Sequence, residues 1–248
     1  MLAIIGGSGM TQLSCLEISH RQIIRTPYGE PSGPFTFGQI NGHEIVFLAR
    51  HGHGHTIPPH LVNYRANLWA LNTLKPEHLI AVAAVGGIQK DLTPGNLVVP
   101  DQIIDYTYGR DSTYFNSTDQ PVVHADFTHP YCSATRALLF KAAKMAGESV
   151  VDGGVYAAMQ GPRLETAAEI NRLERDGADM VGMTGMPETA LARELGLNYA
   201  TLAVVANHAA GRGTNVAEIP LKEIYAVLET AMIHVRNIIE HLVNCYGD

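Results

Sequence analysis

Leu79-Ile80-Ala81-Val82-Ala83-Ala84-Val85 is an unbroken apolar run as long as one buried strand. Spanning a bilayer takes roughly 20 residues, so the run reads as a strand covered on both faces, as in a sheet with helices above and below. Residues 1–5 and 44–49 repeat the pattern, and further strands are predicted at 96–100 with 103–104, and at 154–158, 180–183 and 199–205. Helical periodicity occupies 63–74, 133–145, 165–176, 186–195 and 220–243. Gly147, Gly177 and Gly196 follow three of these segments, where a left-handed residue stops a helix. Strands alternating with helices predict an α/β fold, a single domain over 1–248 with a mixed, twisted β-sheet flanked by helices. No Ser/Pro-rich linker or internal repeat divides it. Residues 109–126 are polar and irregular, a functional or interface loop.

Of 248 residues, 46% are hydrophobic and 17% charged, enough for a sizeable core. The net charge of −7 and the lack of a dense Lys/Arg cluster oppose a nucleic-acid surface. Cys15, Cys132 and Cys245 lie far apart with no CxxC pair, which suits a reducing cytoplasm. The N-terminus has no basic region before an apolar stretch, so no signal peptide is expected. The expectation is a cytoplasmic protein without a membrane span.

Chemistry gathers where strands end. Gly6-Gly7-Ser8-Gly9 follows a strand, and its turn is either structural or a nest of N–H groups for an anion, with the Ser8 hydroxyl as a further donor. The spacing matches neither a dinucleotide fingerprint nor a Walker loop. Arg50-His51 directly follows another strand, as a strand-end salt bridge or a phosphate ligand. Thr184 closes a third strand in a Gly-flanked turn. His51, His53 and His55 alternate as metal ligands can, but no Asp/Glu/His partner set accompanies them, and no metal is expected.

These segments, with Val62-Asn63-Tyr64-Arg65-Ala66-Asn67 and Gly161-Pro162-Arg163-Leu164-Glu165-Thr166, resemble in content and order the trimeric nucleoside phosphorylase family, which includes methylthioadenosine phosphorylase and mammalian-type purine nucleoside phosphorylase. The likeness runs from Ile4 to at least Asn207. It implies a nucleoside phosphorylase-like fold, a homotrimer, and inorganic phosphate as co-substrate with no cofactor. Residues matching Ser8, Arg50, His51 and Thr184 bind phosphate in that family, and Ala83-Ala84 matches the backbone beside phosphate and ribose. Ala83 stands where many members carry Thr, so one phosphate hydroxyl is missing. Met183 matches a ribose-contacting methionine, and Leu164 replaces an aromatic flanking the base. His124 matches a residue that reaches the neighbouring subunit's ribose.

The resemblance also bears on the base. Adenosine-type members carry aspartates where this chain has Asn207-His208-Ala209. An amide accepts from a protonated N7 and donates to O6 together, which a carboxylate does only by taking a proton. Glu165 matches the purine-binding glutamate of 6-oxopurine enzymes and accepts from N1–H; its other reading is a helix N-terminal acid favoured by the dipole. Downstream, residues 216–221 offer no histidine for a 5′-hydroxyl, whereas Val216, Ile219 or Leu221 suits an apolar thioether. The implied reaction is phosphorolysis of S-methyl-5′-thioinosine to hypoxanthine and 5-methylthioribose 1-phosphate, with Asn207 and Glu165 acting on the base. General inosine/guanosine phosphorolysis and methylthioadenosine phosphorolysis are the alternatives. A non-catalytic nucleoside sensor would have no need of Arg50 or Thr184.

Overall fold

The computed structural model describes residues 1–119, 121–216 and 218–246. In chain order the strands are β1 Leu2–Gly6, β2 Glu17–Gln22, β3 Phe35–Ile40, β4 His43–Ala49, β5 His78–Gly87, β6 Leu97–Val99, β7 Gln102–Asp105, β8 Val150–Asp152, β9 Val155–Ala158, β10 Met180–Gly182 and β11 Tyr199–His208. The helices are α1 Tyr64–Thr73, α2 Ser133–Ala146, α3 Ala167–Arg175, α4 Gly185–Glu194 and α5 Leu221–Tyr246.

All the strands join one mixed sheet. Period-two alternation sends neighbouring residues of β1 to opposite faces. Ile4, Val82, Leu202 and Val204 pack under Leu139 of α2 and Val235 and Ile239 of α5. Ala3, Ile5 and Ala81 pack under Leu68 and Leu71 of α1 and Leu191 of α4. Each such fully buried aliphatic side chain contributes about 1.5–3 kcal/mol, so burial of the two faces outweighs the helices' own propensities. The glycine stops behave as expected, with φ of 71° at Gly147, 91° at Gly177 and 67° at Gly196.

Three strands carry no signal read from the sequence. β2 is exposed at all six positions, so no buried alternation marks it. β8 is three residues long. β3 carries Phe35 and Phe37 at period two, the cue for it, and lies between β2 and β4.

The site follows from a fork at β5. One edge of β5 pairs with β11 from Leu79 to Gly87. The other pairs first with β1 at 78–81 and then, in the opposite direction, with β10 at 86–87. Between these partners the edge at 82–85 is open, and its carbonyls must find other donors. Such a parting of strands is where open α/β sheets make ligand crevices.

Candidate active site

A cavity of about 350 Å³ opens at the fork, within the size range of small-molecule sites. Ser8, Arg50, His51 and Thr184 line it together, from three different segments.

Arg50 is 1% exposed and enters from the end of β4. Its Nε and Nη2 donate to the two carboxylate oxygens of Glu188 at 2.6 and 2.8 Å, and Nη1 donates to the Val82 carbonyl, an open position of β5, at 2.9 Å. Glu188 is fully buried and also accepts from the Tyr199 hydroxyl at 2.9 Å. The salt-bridge reading of Arg50 therefore holds, and the bidentate face expected to meet phosphate is occupied by Glu188. Three of its five N–H groups are used within the protein, which leaves one on each terminal nitrogen. Gly7 makes the approach possible: a Cβ there would lie 2.5 Å from the Val82 carbonyl oxygen and 3.0 Å from Nη1.

His51 is nearly buried, and its Nδ1 meets the Ile57 carbonyl at 2.8 Å. A carbonyl only accepts, so Nδ1 carries the hydrogen and Nε2 of the neutral ring is an acceptor. Burial first, and the Arg50 charge second, push its pKa down to about 4. The His55 ring lies 4.7 Å from it. Among the described residues no three His, Cys, Asp or Glu side chains converge to hold a metal ion.

Thr184 precedes α4 without a side-chain cap hydrogen bond. Its flanking glycines are a packing requirement: a Cβ on Gly182 would fall 2.3 Å from the Tyr156 hydroxyl oxygen, and one on Gly185 2.2 Å from its ring. That hydroxyl accepts from the N–H groups of Thr184 and Gly185, each at 3.3 Å.

Glu165, Asn207, Ala209, Met183 and Leu164 line the other end of the cavity. The helix-dipole reading of Glu165 fails, because α3 is capped by Thr166 and Glu169 in a reciprocal capping box with Glu165 outside it. Burial pushes the Glu165 carboxyl above its usual range. Asn207 follows an irregularity in the β5–β11 register at Val205/Asn207. Its Nδ2 donates to the His208 carbonyl at 2.6 Å, and the Asn215 amide donates to the same oxygen at 2.5 Å. Turning the Asn207 amide over would set oxygen against oxygen, so its orientation is fixed.

Four residues expected at the site do not line this cavity. Ala83 alternates with Ala84, which does line it, and turns to the opposite face of β5, 3% exposed. The His208 ring packs on Gly213, where an added Cβ would lie 2.4 Å away; its part here is the carbonyl that holds Asn207. Ile219 precedes α5 outside the cavity. His124 is exposed on the loop of its own subunit, away from this cavity. Leu221 does line the wall, joined by Ile224, Tyr225 and Leu228. Their spacing of i, i+3, i+4 and i+7 is one helical face, a signal present in the sequence that marks the wall's true origin in the start of α5. Glu188 also escapes sequence reading, since its bond to Arg50 joins positions far apart in the chain.

A family model described as the phosphorylase superfamily matches residues 1–244. A "Probable S-methyl-5'-thioinosine phosphorylase" of Pseudomonas syringae pv. tomato is 54% identical over 230 residues, 93% of each chain. A "6-oxopurine nucleoside phosphorylase" of Pyrococcus furiosus is 46% identical over 215 residues, 85% of this chain and 80% of that one. Among solved structures, methylthioadenosine phosphorylase from Schistosoma mansoni in complex with adenine superposes with a TM-score of 0.93 at 34% identity, over 99% of this chain and 91% of that one.

Proposed function

This chain belongs to the phosphorylase superfamily, and from that premise we propose that it cleaves S-methyl-5′-thioinosine with inorganic phosphate, giving hypoxanthine and 5-methylthioribose 1-phosphate. The observation that carries the choice of base is the fixed Asn207 amide facing the same cavity as Glu165. With Nδ2 committed to the His208 carbonyl, Oδ1 accepts from N7–H of the leaving base, while the second Nδ2 hydrogen serves O6. Glu165 accepts from N1–H, a hydrogen neutral adenine lacks. Adenine would leave buried polar groups mispaired, each costing about 1–3 kcal/mol.

Phosphate occupies the end formed by Ser8, Arg50, His51 and Thr184. Hydrogen phosphate donates its own proton to the neutral Nε2 of His51, while Arg50, Ser8 and Thr184 donate to its oxygens. Alignment of this anion on C1′, and its charge beside the developing sugar cation, do most of the work, with no covalent step by the protein. Met183 covers the ribose. The 5′-methylthio group lies against Leu221, Ile224 and Leu228, which offer a thioether contact and no hydrogen-bond donor. No cofactor is required.

The deciding experiment measures phosphate-dependent base release from methylthioinosine, inosine and methylthioadenosine at equal concentrations. We expect methylthioinosine to lead. Equal efficiency on methylthioadenosine would overturn the base assignment, and equal efficiency on inosine would favour the broader 6-oxopurine activity named for the Pyrococcus relative.

The assembly belongs to the same proposal. Val122 and Val123, exposed by 77% and 49%, flank His124, a surface that a neighbouring subunit would cover while receiving His124 at its ribose. Light scattering should give a trimer, and a fully active monomer would remove His124 from the site. A cytoplasmic setting accords with the spacing of the free cysteines, and among the described residues no helix is long and apolar enough to cross a membrane.

A further inference from the structure

Arg110 lies on the polar loop after β7, and its guanidinium reaches into the wall behind the cavity. Nη1 donates to the carbonyls of Met183 and Met186 at 2.9 and 2.5 Å. Nη2 donates to the carbonyls of Gln160 and Met159 at 2.8 and 3.3 Å, and Nε to the Gln160 side-chain oxygen at 3.2 Å. With the Tyr64 hydroxyl 3.4 Å from Nη1, the five N–H donors meet six neutral oxygens. The guanidinium also lies over the Tyr64 ring, 5.6 Å from its centre. Tyr64 in turn donates its hydroxyl to the Pro59 carbonyl at 2.9 Å, and Pro59 lines the cavity.

The two segments joined in this way carry different parts of the site. Residues 159–160 lead through Gly161 into Leu164 and Glu165, on the base side. Met183 and Thr184 contact ribose and phosphate in the proposed reading. The segments touch closely: a Cβ added to Gly161 would lie 2.4 Å from the Met183 sulfur. Thr184 is secured separately, by the bonds of its own and Gly185's N–H to Tyr156.

We propose that Arg110 is a positioning residue, a clamp whose fork of donors sets the distance between the base-binding segment and the ribose-binding turn. Positional error of this kind is costly, because contact groups displaced by about 1 Å lose most of their effect on a bound substrate. A lysine has three donors on one atom and cannot span the two segments. The kinetic part rests on the phosphorolysis reading, so the test carries a second arm that does not.

Arg110→Ala and Arg110→Lys are compared with the unmodified protein by amide hydrogen exchange and by kinetics. Exchange should accelerate in residues 159–166 and 183–187 of both variants and stay unchanged in β5 and α2. The KM for nucleoside should rise about tenfold or more, while the KM for phosphate, held by Arg50, Ser8 and the Tyr156-anchored Thr184, moves far less. Guanidinium ion should restore part of the nucleoside affinity of Arg110→Ala and none of Arg110→Lys. Unchanged exchange in both segments overturns the clamp. So does exchange that accelerates throughout the chain with both KM values rising together, the mark of a folding defect. If the unmodified protein releases no base from any purine nucleoside, the phosphorolysis reading falls, and the exchange arm still decides whether Arg110 clamps.

Discussion

The floor of the cavity and its rim are built on opposite plans. In the floor, Arg50 is 1% exposed, Glu188 is fully buried, and each is bonded to the other before any ligand arrives. At the rim, Leu164, Leu221 and Tyr225 are 38%, 59% and 66% exposed and stand on a loop and on the first two turns of α5. An isolated charge taken out of water is very costly, so a cation held ready for phosphate needs a permanent counter-ion and a carbonyl partner. A residue that only lies against the sugar's 5′ substituent needs no such support. In the proposed reading the phosphate end is therefore preassembled at strand ends and the 5′ side is left to open segments, while the base contact Asn207 keeps a fixed amide on β11.

The strongest way to break this comparison is to cut the floor. Glu188→Ala leaves the Arg50 guanidinium buried without its carboxylate, and removing one partner of a buried pair costs about 3–5 kcal/mol. We expect urea unfolding to show a loss of that size and phosphate-dependent activity to vanish. Arg50→Ala should likewise remove activity that excess phosphate restores only in part. A rim change such as Leu221→Ala, half exposed, should cost under about 1 kcal/mol of stability. If Glu188→Ala proves no more harmful than Leu221→Ala, the floor is not preassembled.

Acid gives a second test of the same difference. The His51 pKa is depressed from 6.5 to about 4 by burial and by Arg50. The unfolded chain takes up the proton before the folded one does, so the contribution of neutral His51 is complete above pH 6.5 and is lost as pH falls from there toward 4. The loss attributable to this residue is on the order of 3 kcal/mol, measured as the difference between the native protein and His51→Gln in urea unfolding across that range. Saturating phosphate should make the slope shallower, since an anion favours the protonated ring. A slope that phosphate leaves untouched would separate His51 from the anion site.

The same contrast governs what the sequence made legible. The continuous apolar runs and glycine stops announce the buried strands and helix ends, because burial on both faces leaves a local pattern. Ser8, Arg50, His51 and Thr184 are legible since each sits at the end of such an element. Glu188 and Tyr199 are not. The partner of Arg50 is 138 positions away, and nothing local distinguishes Glu188 from a solvated helix glutamate. Residues 216–221 offer Val216, Ile219 and Leu221 for an apolar wall, and of these Leu221 lines the cavity, joined by Ile224, Tyr225 and Leu228 of α5. Strand alternation turns the Ala83 side chain, and the packing on Gly213 the His208 ring, away from the cavity that their neighbours line.

At the base, Asn207→Asp replaces the amide donor by a carboxylate oxygen facing the His208 carbonyl, which already accepts from Asn215. That repulsion turns the side chain away or forces it to bind a proton. Methylthioinosine cleavage should fall by about tenfold to a hundredfold, and the ratio of methylthioadenosine to methylthioinosine turnover should rise. An unchanged ratio in steady-state assays on both nucleosides would mean that Asn207 does not choose the base. A fall of similar size in Asn215→Ala would show that the orienting carbonyl matters as much as the amide.

The smallest effect belongs to the sugar wall, and it is the one that isolates the rim. Leu221 stands on the first turn of α5 beside Ile224 and Leu228, and more than half of its surface is open. Leu221→Asn keeps the branched shape of the side chain while placing a donor and an acceptor against the 5′ substituent. A thioether scarcely hydrogen-bonds and gains nothing from them, whereas a 5′-hydroxyl does. A single contact of this kind shifts discrimination by about 1 kcal/mol, since an apolar pocket separates close analogues only weakly. The preference for methylthioinosine over inosine should therefore fall by roughly fivefold, through a higher KM for the first and a lower KM for the second. The KM for phosphate should stay where it was, because Arg50 is held by Glu188 and Val82, and Glu188 by Tyr199, none of them on α5. If the preference holds and phosphate affinity drops instead, floor and rim are coupled through α5, and the division drawn between them is wrong.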